Sequence, residues 1–264
     1  MAQLHGVDLI KKKRQGKKIV MLTAYDALLA RALDAAEVDV ILVGDSIGNV
    51  FCGNTDTLSV TLDQMVYHSK AVSGAVSHAL VVGDLPFMSY HIGVEQARAS
   101  AGRLVQEGRV QAVKMEVSPY LLPAVQAVCE IGIPVMAHIG FTPHSVHQLG
   151  GYKVQGRDAQ QAETLQSLAV ALEAVGCFAL VLEMVPASLA TAITAQLSIP
   201  TLGIGAGAGC DGQVLVTQDM LGLTPHSPKF AKRYADFGTG IQHAVSAFRS
   251  EVASGVFPGS EHGF

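Results

Sequence analysis

The sequence predicts a (β/α)8 barrel, and two observations support this fold class. Short apolar runs rich in Val, Ile and Leu recur at similar intervals along the 264 residues, and amphipathic helical patterns lie between them. The runs are apolar throughout rather than alternating, which is typical of parallel strands that are covered on both faces. Seven or eight strand and helix pairs in about 250 residues match the size of such a barrel. An open, doubly wound sheet is the alternative.

Seven apolar runs are predicted to be strands, and an eighth run is a weaker candidate. The seven lie at residues 18–26, 39–46, 79–84, 111–117, 134–141, 178–185 and 200–207, and the eighth lies at 214–219. A helix at 5–16 and a helical extension after residue 239 are predicted additions to the barrel. Since no Pro/Ser-rich linker or change of composition divides the chain, we predict a single catalytic domain over residues 1–264.

The helical patterns between these runs have recognisable ends. The pattern at 159–176 ends at Gly176, which suits a C-terminal cap, and the pattern at 93–108 also ends at a glycine. Thr61 is a suitable N-cap for the helix that follows it. A stripe of apolar residues marks the buried face of the helix at 159–176: Leu165, Leu168, Leu172 and Val175.

Charge and hydropathy argue against two classes of partner, nucleic acid and membranes. The formal net charge of −4 gives no general attraction to nucleic acid, so the basic run KKKRQGKK at 11–18 is interpreted as the solvated end of a helix. A nucleic-acid or targeting role of this run is the alternative. No apolar run approaches the roughly 18 residues of a membrane span, and no signal peptide is recognisable. We therefore expect neither nucleic acid nor a membrane among the partners of the chain.

The four cysteines indicate a reducing compartment. They are widely spaced and form no C-x-x-C pair, so they suggest neither a disulfide framework nor a zinc site. Their positions are Cys52, Cys129, Cys177 and Cys210. We therefore expect a cytoplasmic protein.

Ionisable side chains stand at the ends of five successive predicted strands. They are Asp45, Asp84, Glu116, His138 and Glu183. Lys114 shares a strand face with Glu116, because side chains two residues apart point the same way. Active sites of (β/α)8 barrels are built at the C-terminal ends of the strands. The sequence therefore predicts that these six side chains converge on one mouth of the barrel.

A divalent ion would keep such a cluster of carboxylates ionised. Crowded carboxylates repel one another and bind protons unless a cation lies between them. Oxygen ligands without cysteine suit a hard ion such as Mg²⁺. Asp45 and Asp84 are the predicted direct ligands, and Glu116 is expected close to the ion.

Each of these residues also has a purely structural explanation. A single aspartate could cap a helix, Lys114 could merely neutralise Glu116, and His138 could be a hydrogen-bonded core histidine. Glu183, which precedes Met184, Val185 and Pro186, could be an acid at the entry of a helix. The five successive strand ends together favour an active site over five unrelated structural roles.

Two glycine-rich segments have alternative interpretations. GIGAGAG at 203–209 loosely matches a dinucleotide motif, but no helix begins directly after it, so close approach of backbone is favoured over dinucleotide binding. Phosphate binding there is the alternative. The long segment 138–157 is predicted to be a lid over the mouth, with a mobile surface loop as the alternative.

Ten motifs in register resemble those of one enzyme family. They are LTAYD, VGDSIG, DLPFMSY, VKME, HIGFTPHSV, LGGYKVQG, LEMVPASLA, GIGAG–x3–DGQVLV, PKFAKRY and VFPGSEH. From residue 3 to the C-terminus the chain closely resembles the ketopantoate hydroxymethyltransferases, also called 3-methyl-2-oxobutanoate hydroxymethyltransferases. A single motif would be weak, but ten in the same order are highly specific.

The resemblance implies an activity and an assembly. It implies a (β/α)8 barrel that forms a homodecamer and works in pantothenate biosynthesis towards coenzyme A. It also implies one Mg²⁺ per subunit and 5,10-methylenetetrahydrofolate as cosubstrate. The reaction would add a hydroxymethyl group to 3-methyl-2-oxobutanoate (2-oxoisovalerate) through a Mg-stabilised enolate, giving 2-dehydropantoate (ketopantoate) and tetrahydrofolate.

The resemblance also assigns roles by motif position. The metal positions of the family match Asp45, Asp84 and Glu116. The positions that hold the oxoacid match Asp45, Ser46, Asp84 and Lys114. Glu183 matches the residue that accepts a proton, Lys114 is expected to support the reaction, and His138 matches an active-site histidine.

Four positions depart from the family pattern. Asn54 and Ser59 stand where the family has histidine and proline, and Val117 and Ser118 stand where it has two glycines. We expect these changes to alter affinity for folate and oxoacid rather than the reaction. The alternatives to the transferase are a folate-independent, Mg²⁺-dependent 2-oxoacid lyase or mutase on the same barrel, and a non-catalytic protein that binds an oxoacid.

Overall fold

Eight parallel strands form a closed barrel in the computed structural model, which describes residues 2–225 and 227–264. The strands pair in chain order, and the last closes on the first. They are β1 (Ile19–Thr23), β2 (Val40–Val43), β3 (Leu80–Asp84), β4 (Ala112–Glu116), β5 (Val135–Gly140), β6 (Ala179–Glu183), β7 (Thr201–Ile204) and β8 (Gly212–Leu215). The predicted (β/α)8 barrel is thereby confirmed, and the open sheet is excluded. The eighth strand begins two residues before the predicted run, and the second half of that run is helical instead.

Helices alternate with the strands. They are α1 (Gly6–Arg14), α2 (Ala27–Ala35), α3 (Ile47–Val50), α4 (Leu62–Ser73), α5 (Val94–Gln106), α6 (Leu122–Glu130), α7 (Val146–Leu149), α8 (Ala159–Ala174), α9 (Ala187–Gln196), α10 (Thr217–Met220) and α11 (Phe237–Ser254). The predicted helix ends are confirmed at α4 and α8. The Thr61 hydroxyl accepts a hydrogen bond from the Gln64 backbone amide in a capping box, and Gly176 follows α8 with a positive φ of 103°.

The chain divides into two compact units at Val216. The first unit holds the barrel and α1 to α9, and the second holds α10, α11 and a final 3-10 turn at Ser260–His262. The predicted helical extension is confirmed, and its long helix α11 begins at Phe237. The prediction of a single domain stays a prediction.

Two apolar layers surround the strands of the barrel. Alternate residues of each strand face inward, as Val40 and Leu42 do in β2, and together with Leu9 of α1 they form the interior layer. The opposite faces pack against the surrounding helices, as Ile41 and Val43 do. Because both faces of each strand are covered, the strands are apolar throughout, as the sequence suggested.

The basic run at 11–18 makes structural contacts in the first unit. Lys12 forms an ion pair with the buried carboxylate of Asp39, and Lys13 forms one with Asp211 at 2.9 Å. Lys18 donates a hydrogen bond to the backbone carbonyl of Cys210. The contacts of Lys12 and Lys13 tie α1 to the residues that directly precede β2 and β8, at the strand ends opposite the mouth. The run does end a helix, as predicted, but Lys12 and Lys13 form ion pairs there rather than being solvated.

None of the helices in the described parts of the chain is long and apolar enough to cross a membrane.

Gly140 ends β5 in a conformation that a side chain cannot share. Its φ is +99°, and a Cβ there would collide with the backbone carbonyl oxygen of Glu183 in the neighbouring strand. Gly132 is a matched control, since its φ is +86° and no atom lies within 4 Å of its Cβ position. Of these two glycines, only Gly140 therefore adds a collision to the strain of a positive φ.

We predict that Gly140→Ala destabilises the chain more than Gly132→Ala does. The positive φ alone costs an alanine about 1–2 kcal/mol, and the collision at Gly140 adds about 1–3 kcal/mol. Urea unfolding followed by circular dichroism measures both changes. Equal losses in the two variants would show that the strand pair yields around Gly140.

Candidate active site

The polar side chains of the mouth continue the inward-facing rows of the barrel. In β3 the inward residues Leu80 and Val82 are followed by Asp84, and in β4 Ala112 is followed by Lys114 and Glu116. The same alternation leads to His138 in β5 and to Glu183 in β6. Because inward positions repeat every two residues, the change from apolar to polar residues on this face places the side chains at one end of the barrel.

Register between the strands sets which of these residues are neighbours. Asp84 lies beside Lys114, and Glu116 lies beside His138. Gly140 lies beside Glu183, so no side chain separates Glu183 from His138. The structure therefore places the predicted side chains of these strand ends at the same mouth, as predicted. Their roles stay predictions.

Asp84 and Lys114 form a buried ion pair. The Lys114 Nζ donates to Asp84 Oδ2 at 2.6 Å, and both side chains are almost fully buried. Burial raises the pKa of Asp84 to about 6, although the charge of Lys114 opposes this shift. Burial alone would lower the pKa of Lys114, but the nearby carboxylates of Asp84, Glu116 and Asp45 outweigh it and raise that pKa. Lys114 is therefore a permanent cation, and it pairs with Asp84 rather than with Glu116.

Asp45, Glu116 and His144 form a second buried cluster, in which His144 was not among the predicted site residues. His144 Nε2 lies 2.8 Å from Asp45 Oδ2, and the His144 backbone amide donates to Glu116 Oε2 at 2.8 Å. Burial raises the pKa of Asp45, but the hydrogen bond and charge of His144 outweigh it and lower that pKa to about 2. Burial raises the pKa of Glu116, against the opposing charges of His144 and Lys114.

The hydroxyl of Tyr90 contacts both Glu116 and His144 of this cluster. Tyr90 is fully buried, and its hydroxyl donates to the Glu116 carbonyl at 2.9 Å and accepts from the Glu116 amide at 3.1 Å. The same hydroxyl lies 3.2 Å from His144 Nδ1. Glu116 and His144 are therefore fixed by one shared partner.

Glu183 and His138 occupy the other side of the mouth. His138 Nε2 lies 3.2 Å from Glu183 Oε2, and its Nδ1 lies 3.8 Å from Glu116 Oε1. Burial raises the pKa of Glu183 to about 8, with Lys114 opposing the shift and Asp45 adding to it. Burial and the charge of Lys114 lower the pKa of His138 to about 3. His138 is therefore neutral at pH 7, and its contact with Glu183 is not an ion pair.

The donor atoms fit a divalent metal ion. Ligand atoms of Asp45, Glu116 and His144 lie within 4.8 Å of one another. Two further buried oxygens have no hydrogen-bond partner, Asp84 Oδ1 and Glu116 Oε1. Because an unpartnered buried carboxylate oxygen costs free energy, these atoms are suited to binding a cation. The three carboxylates are those predicted to lie at the metal.

A comparison with family models identifies the family of the chain. The family model described as ketopantoate hydroxymethyltransferase matches residues 4–260. The chain belongs to the ketopantoate hydroxymethyltransferase family. Membership makes the chain an enzyme, a hydroxymethyltransferase, and it confirms the resemblance carried by the ten motifs.

Curated relatives extend this match over nearly the whole chain. The 3-methyl-2-oxobutanoate hydroxymethyltransferase of Pelobacter propionicus is 53% identical over 258 residues, covering 97% of this chain and 96% of the relative. The protein of the same name from Geobacter sulfurreducens is 52% identical over 259 residues, covering 98% of this chain and 97% of the relative.

Solved structures of distant proteins share the barrel. A phosphonopyruvate hydrolase in complex with oxalate and Mg²⁺ superposes with a TM-score of 0.61 at 12% identity, covering 96% of this chain and 87% of the other. A 2,3-dimethylmalate lyase superposes with a TM-score of 0.59 at 17% identity, covering 97% and 90%. At these identities the likeness shows the fold alone.

Ser46 is placed beside the cluster, while the segment predicted as a lid is partly helical. The Ser46 hydroxyl lies 2.8 Å from the hydroxyl of Tyr25.

Within 138–157, a 3-10 turn at Pro143–Ser145 and α7 follow β5, and this turn carries His144 into the site. The lid stays a prediction. The sequence signal for His144 was weak, since it lies in a loop outside the apolar runs.

Two of the departures from the ketopantoate hydroxymethyltransferase pattern contact each other. Asn54 Nδ2 donates to the Ser59 hydroxyl at 2.8 Å. Val117 is buried, and its amide donates to the His138 carbonyl at 2.9 Å, while Ser118 is exposed. In the sequence, Asn54 and Ser59 follow α3, and Val117 and Ser118 directly follow β4. The effect of these four residues on affinity for folate and oxoacid stays a prediction.

The glycines of GIGAGAG allow close packing, as predicted. Gly207 has a φ of +79°, and a Cβ there would lie 2.5 Å from Ala187 Cβ. Strand β8 follows the motif at Gly212. A dinucleotide motif requires a helix directly after the glycines, so this segment does not match one.

We predict that Glu183→Gln stabilises the metal-stripped chain at high pH. The folded-state pKa of Glu183 is about 8 against an ordinary 4.5, so wild-type stability falls as pH rises between these values and the full cost is present above pH 8. At pH 9 the variant should gain about 2 kcal/mol or more in free energy of unfolding, and near pH 5 the difference should be small. Urea unfolding at the two pH values measures this.

The exposed Glu163 of α8 provides the control for this prediction. Glu163→Gln should leave the free energy of unfolding nearly unchanged at both pH values. A Glu183→Gln variant no more stable than wild type at pH 9 would contradict the raised pKa.

Proposed function

We propose that the chain transfers a hydroxymethyl group from 5,10-methylenetetrahydrofolate to 3-methyl-2-oxobutanoate, giving 2-dehydropantoate and tetrahydrofolate. The curated relatives carry the name of this transferase. The observation that carries the proposal is the position of Glu183, a carboxyl group with a raised pKa at the same mouth as the donor cluster of Asp45, Glu116 and His144. A proton acceptor and an oxoacid site are two of the parts that this reaction needs.

Mg²⁺, one per subunit, is the proposed cofactor. Asp45, Asp84 and Glu116 would hold it, in keeping with the two unpartnered oxygens among them. When bound, the ion supplies a Lewis acid that stabilises negative charge on the keto oxygen of the substrate.

Lys114 and Ser46 are the proposed substrate-binding side chains, with Asp45 and Asp84. The ammonium group of Lys114 bonds only one carboxylate, Asp84 Oδ2, among the contacts described, so its remaining N–H groups can bond an oxoacid. Because Lys114 is charged and buried, it attracts an anionic substrate strongly. Ser46 offers a further hydroxyl at the N-terminal end of α3.

Glu183 is the proposed proton acceptor. It takes the proton from C3 of the oxoacid as a carboxylate, and the electron pair left at C3 is delocalised towards the keto group. C3 then forms the new carbon–carbon bond with the one-carbon unit of the donor, while the two bonds between that carbon and the folate nitrogens break. Water supplies the hydroxyl oxygen of the product, and the proton from C3 and the two protons of water end on the two folate nitrogens and the new hydroxyl. The neutral ring of His138 lies next to this carboxyl group, with Nε2 3.2 Å from Glu183 Oε2.

The reaction would place the chain in pantothenate biosynthesis, on the route to coenzyme A. A cytoplasmic location is part of this proposal, in keeping with four cysteines that are all unpaired in this structure.

Turnover with and without the donor tests the proposed reaction. We expect 2-dehydropantoate from 3-methyl-2-oxobutanoate only when 5,10-methylenetetrahydrofolate and Mg²⁺ are both present, and loss of product with a chelator. Mass spectrometry of the product measures this. Product that forms without the folate would indicate a lyase or mutase, and saturable oxoacid binding without turnover would indicate a binding protein.

Exchange of the C3 proton in D₂O tests Glu183 separately. Without folate, wild type should exchange this proton, and the rate should rise with pH through about 8, because Glu183 accepts a proton only when ionised. Glu183→Gln should slow the exchange by about 100-fold or more, while Glu163→Gln should not change it. NMR follows the exchange, and an unaffected Glu183→Gln rate would remove Glu183 from the mechanism.

A homodecamer is the proposed assembly. Exposed apolar residues form one stripe along α11, at spacings of three and four: Phe237, Ile241, Val245, Phe248 and Val252. Such a stripe favours association with further protein surface. Sedimentation should give ten times the chain mass of 27.6 kDa, and Val245→Glu should lower this mass while the exposed control His243→Glu does not. A monomer in wild type would refute the assembly.

A further inference from the structure

We propose that His144 is a nitrogen ligand of the divalent ion and that it shifts the metal preference of the site towards ions that accept imidazole. This inference rests on the proposed metal site and adds a ligand to its carboxylates. It concerns a residue that the strand pattern did not indicate, since His144 reaches the site from the turn after β5.

The backbone holds His144 at the cluster. Pro143 begins the short turn, and the His144 amide donates to Glu116 Oε2 at 2.8 Å. The side chain is only 3% exposed. A histidine held in this way has little freedom to leave the site, so its ring nitrogens belong to the permanent donor set.

The hydroxyl of Tyr90 determines which ring nitrogen faces the cluster. Its single hydrogen goes to the Glu116 carbonyl, so towards His144 Nδ1, at 3.2 Å, it can only accept. His144 Nδ1 therefore carries a hydrogen, and in the neutral ring Nε2 carries the lone pair. Metal-binding histidines usually donate their other N–H to a fixed partner in this manner.

His144 Nε2 points at a carboxylate oxygen. It lies 2.8 Å from Asp45 Oδ2. A lone pair facing a carboxylate is repulsive unless a cation, a proton or a metal ion, lies between the two groups. Ligand atoms of Asp45, His144 and Glu116 lie within 4.8 Å of one another, which is close enough for one ion to contact all three.

The unpartnered oxygens complete the donor set. Glu116 Oε1 and Asp84 Oδ1 are buried without a hydrogen-bond partner. With them the site offers several oxygens and one nitrogen. Because Mg²⁺ prefers oxygen while Co²⁺, Ni²⁺ and Zn²⁺ accept imidazole readily, the nitrogen should favour the latter ions more than an all-oxygen site would.

Pulsed EPR of bound Mn²⁺ tests the proposal directly. The full-length chain is stripped of metal and loaded with Mn²⁺ in the absence of substrate. Wild type should show electron spin echo modulation from a coordinated ¹⁴N, and His144→Gln should lack it while still binding Mn²⁺. In parallel calorimetry, the Kd for Co²⁺ should rise by about tenfold or more in His144→Gln, and the Kd for Mg²⁺ should rise much less.

Two other histidines are the matched controls. His138 lies 3.8 Å from Glu116 Oε1, and the His91 ring lies 5.8 Å from the ring of His144. His138→Gln and His91→Gln should keep the nitrogen modulation. If His144→Gln fails to fold, modulation that persists in both controls still assigns the nitrogen to His144 among the histidines around the cluster.

Three outcomes would overturn the proposal. They are wild-type Mn²⁺ without nitrogen modulation, modulation that persists in His144→Gln, and modulation that disappears in His138→Gln. Each is distinct from failure of the proposed function, because turnover with Mg²⁺ and the folate donor is measured independently. A chain that turns over substrate without a bound nitrogen would keep the transferase and lose the ligand.

Discussion

An excess of carboxyl groups over basic groups dominates the electrostatics of the mouth of this barrel. Four carboxyl groups, those of Asp45, Asp84, Glu116 and Glu183, face one space with Lys114 as the permanently charged cation among the described residues there. Taking so many carboxylates out of water costs several kcal/mol for each unpaired ion. The site therefore gains stability from any cation that enters it, and this makes it suited to a metal ion and, with that ion, to an anionic substrate.

The surroundings in the barrel give the carboxyl groups of the mouth different pKa values. Asp45, bonded to His144, has a pKa near 2 and stays ionised. Glu183 has a pKa near 8 because it is buried without a strong hydrogen-bond donor. A wide separation of pKa values between groups of one type is the usual sign that one binds charge while another moves a proton. The same burial that destabilises the fold at Glu183 thus also raises the pKa on which its proposed role as proton acceptor rests.

Rigid and irregular backbone contribute different parts of the site. Asp84, Lys114, Glu116, His138 and Glu183 are fixed by hydrogen-bonded strands, whose register leaves little freedom at the Cα atoms. Asp45 and His144 come from turns that follow strands. Tyr90 links these two sources through the backbone of Glu116 and the ring of His144. A site on strands with a few residues from loops combines precise geometry with adaptable chemistry.

The sequence determined the barrel and most of the site, because both depend on patterns within a few neighbouring residues. Continuous apolar runs showed parallel strands, and a polar residue at an inward position of each strand had to lie at the mouth. Only the tertiary structure decided which side chains of the site contact each other. It paired Lys114 with Asp84 instead of Glu116, and it brought His144 and Tyr90 to the cluster from segments without regular periodicity. Partners across the barrel depend on side-chain directions and turn geometry, which no local pattern encodes.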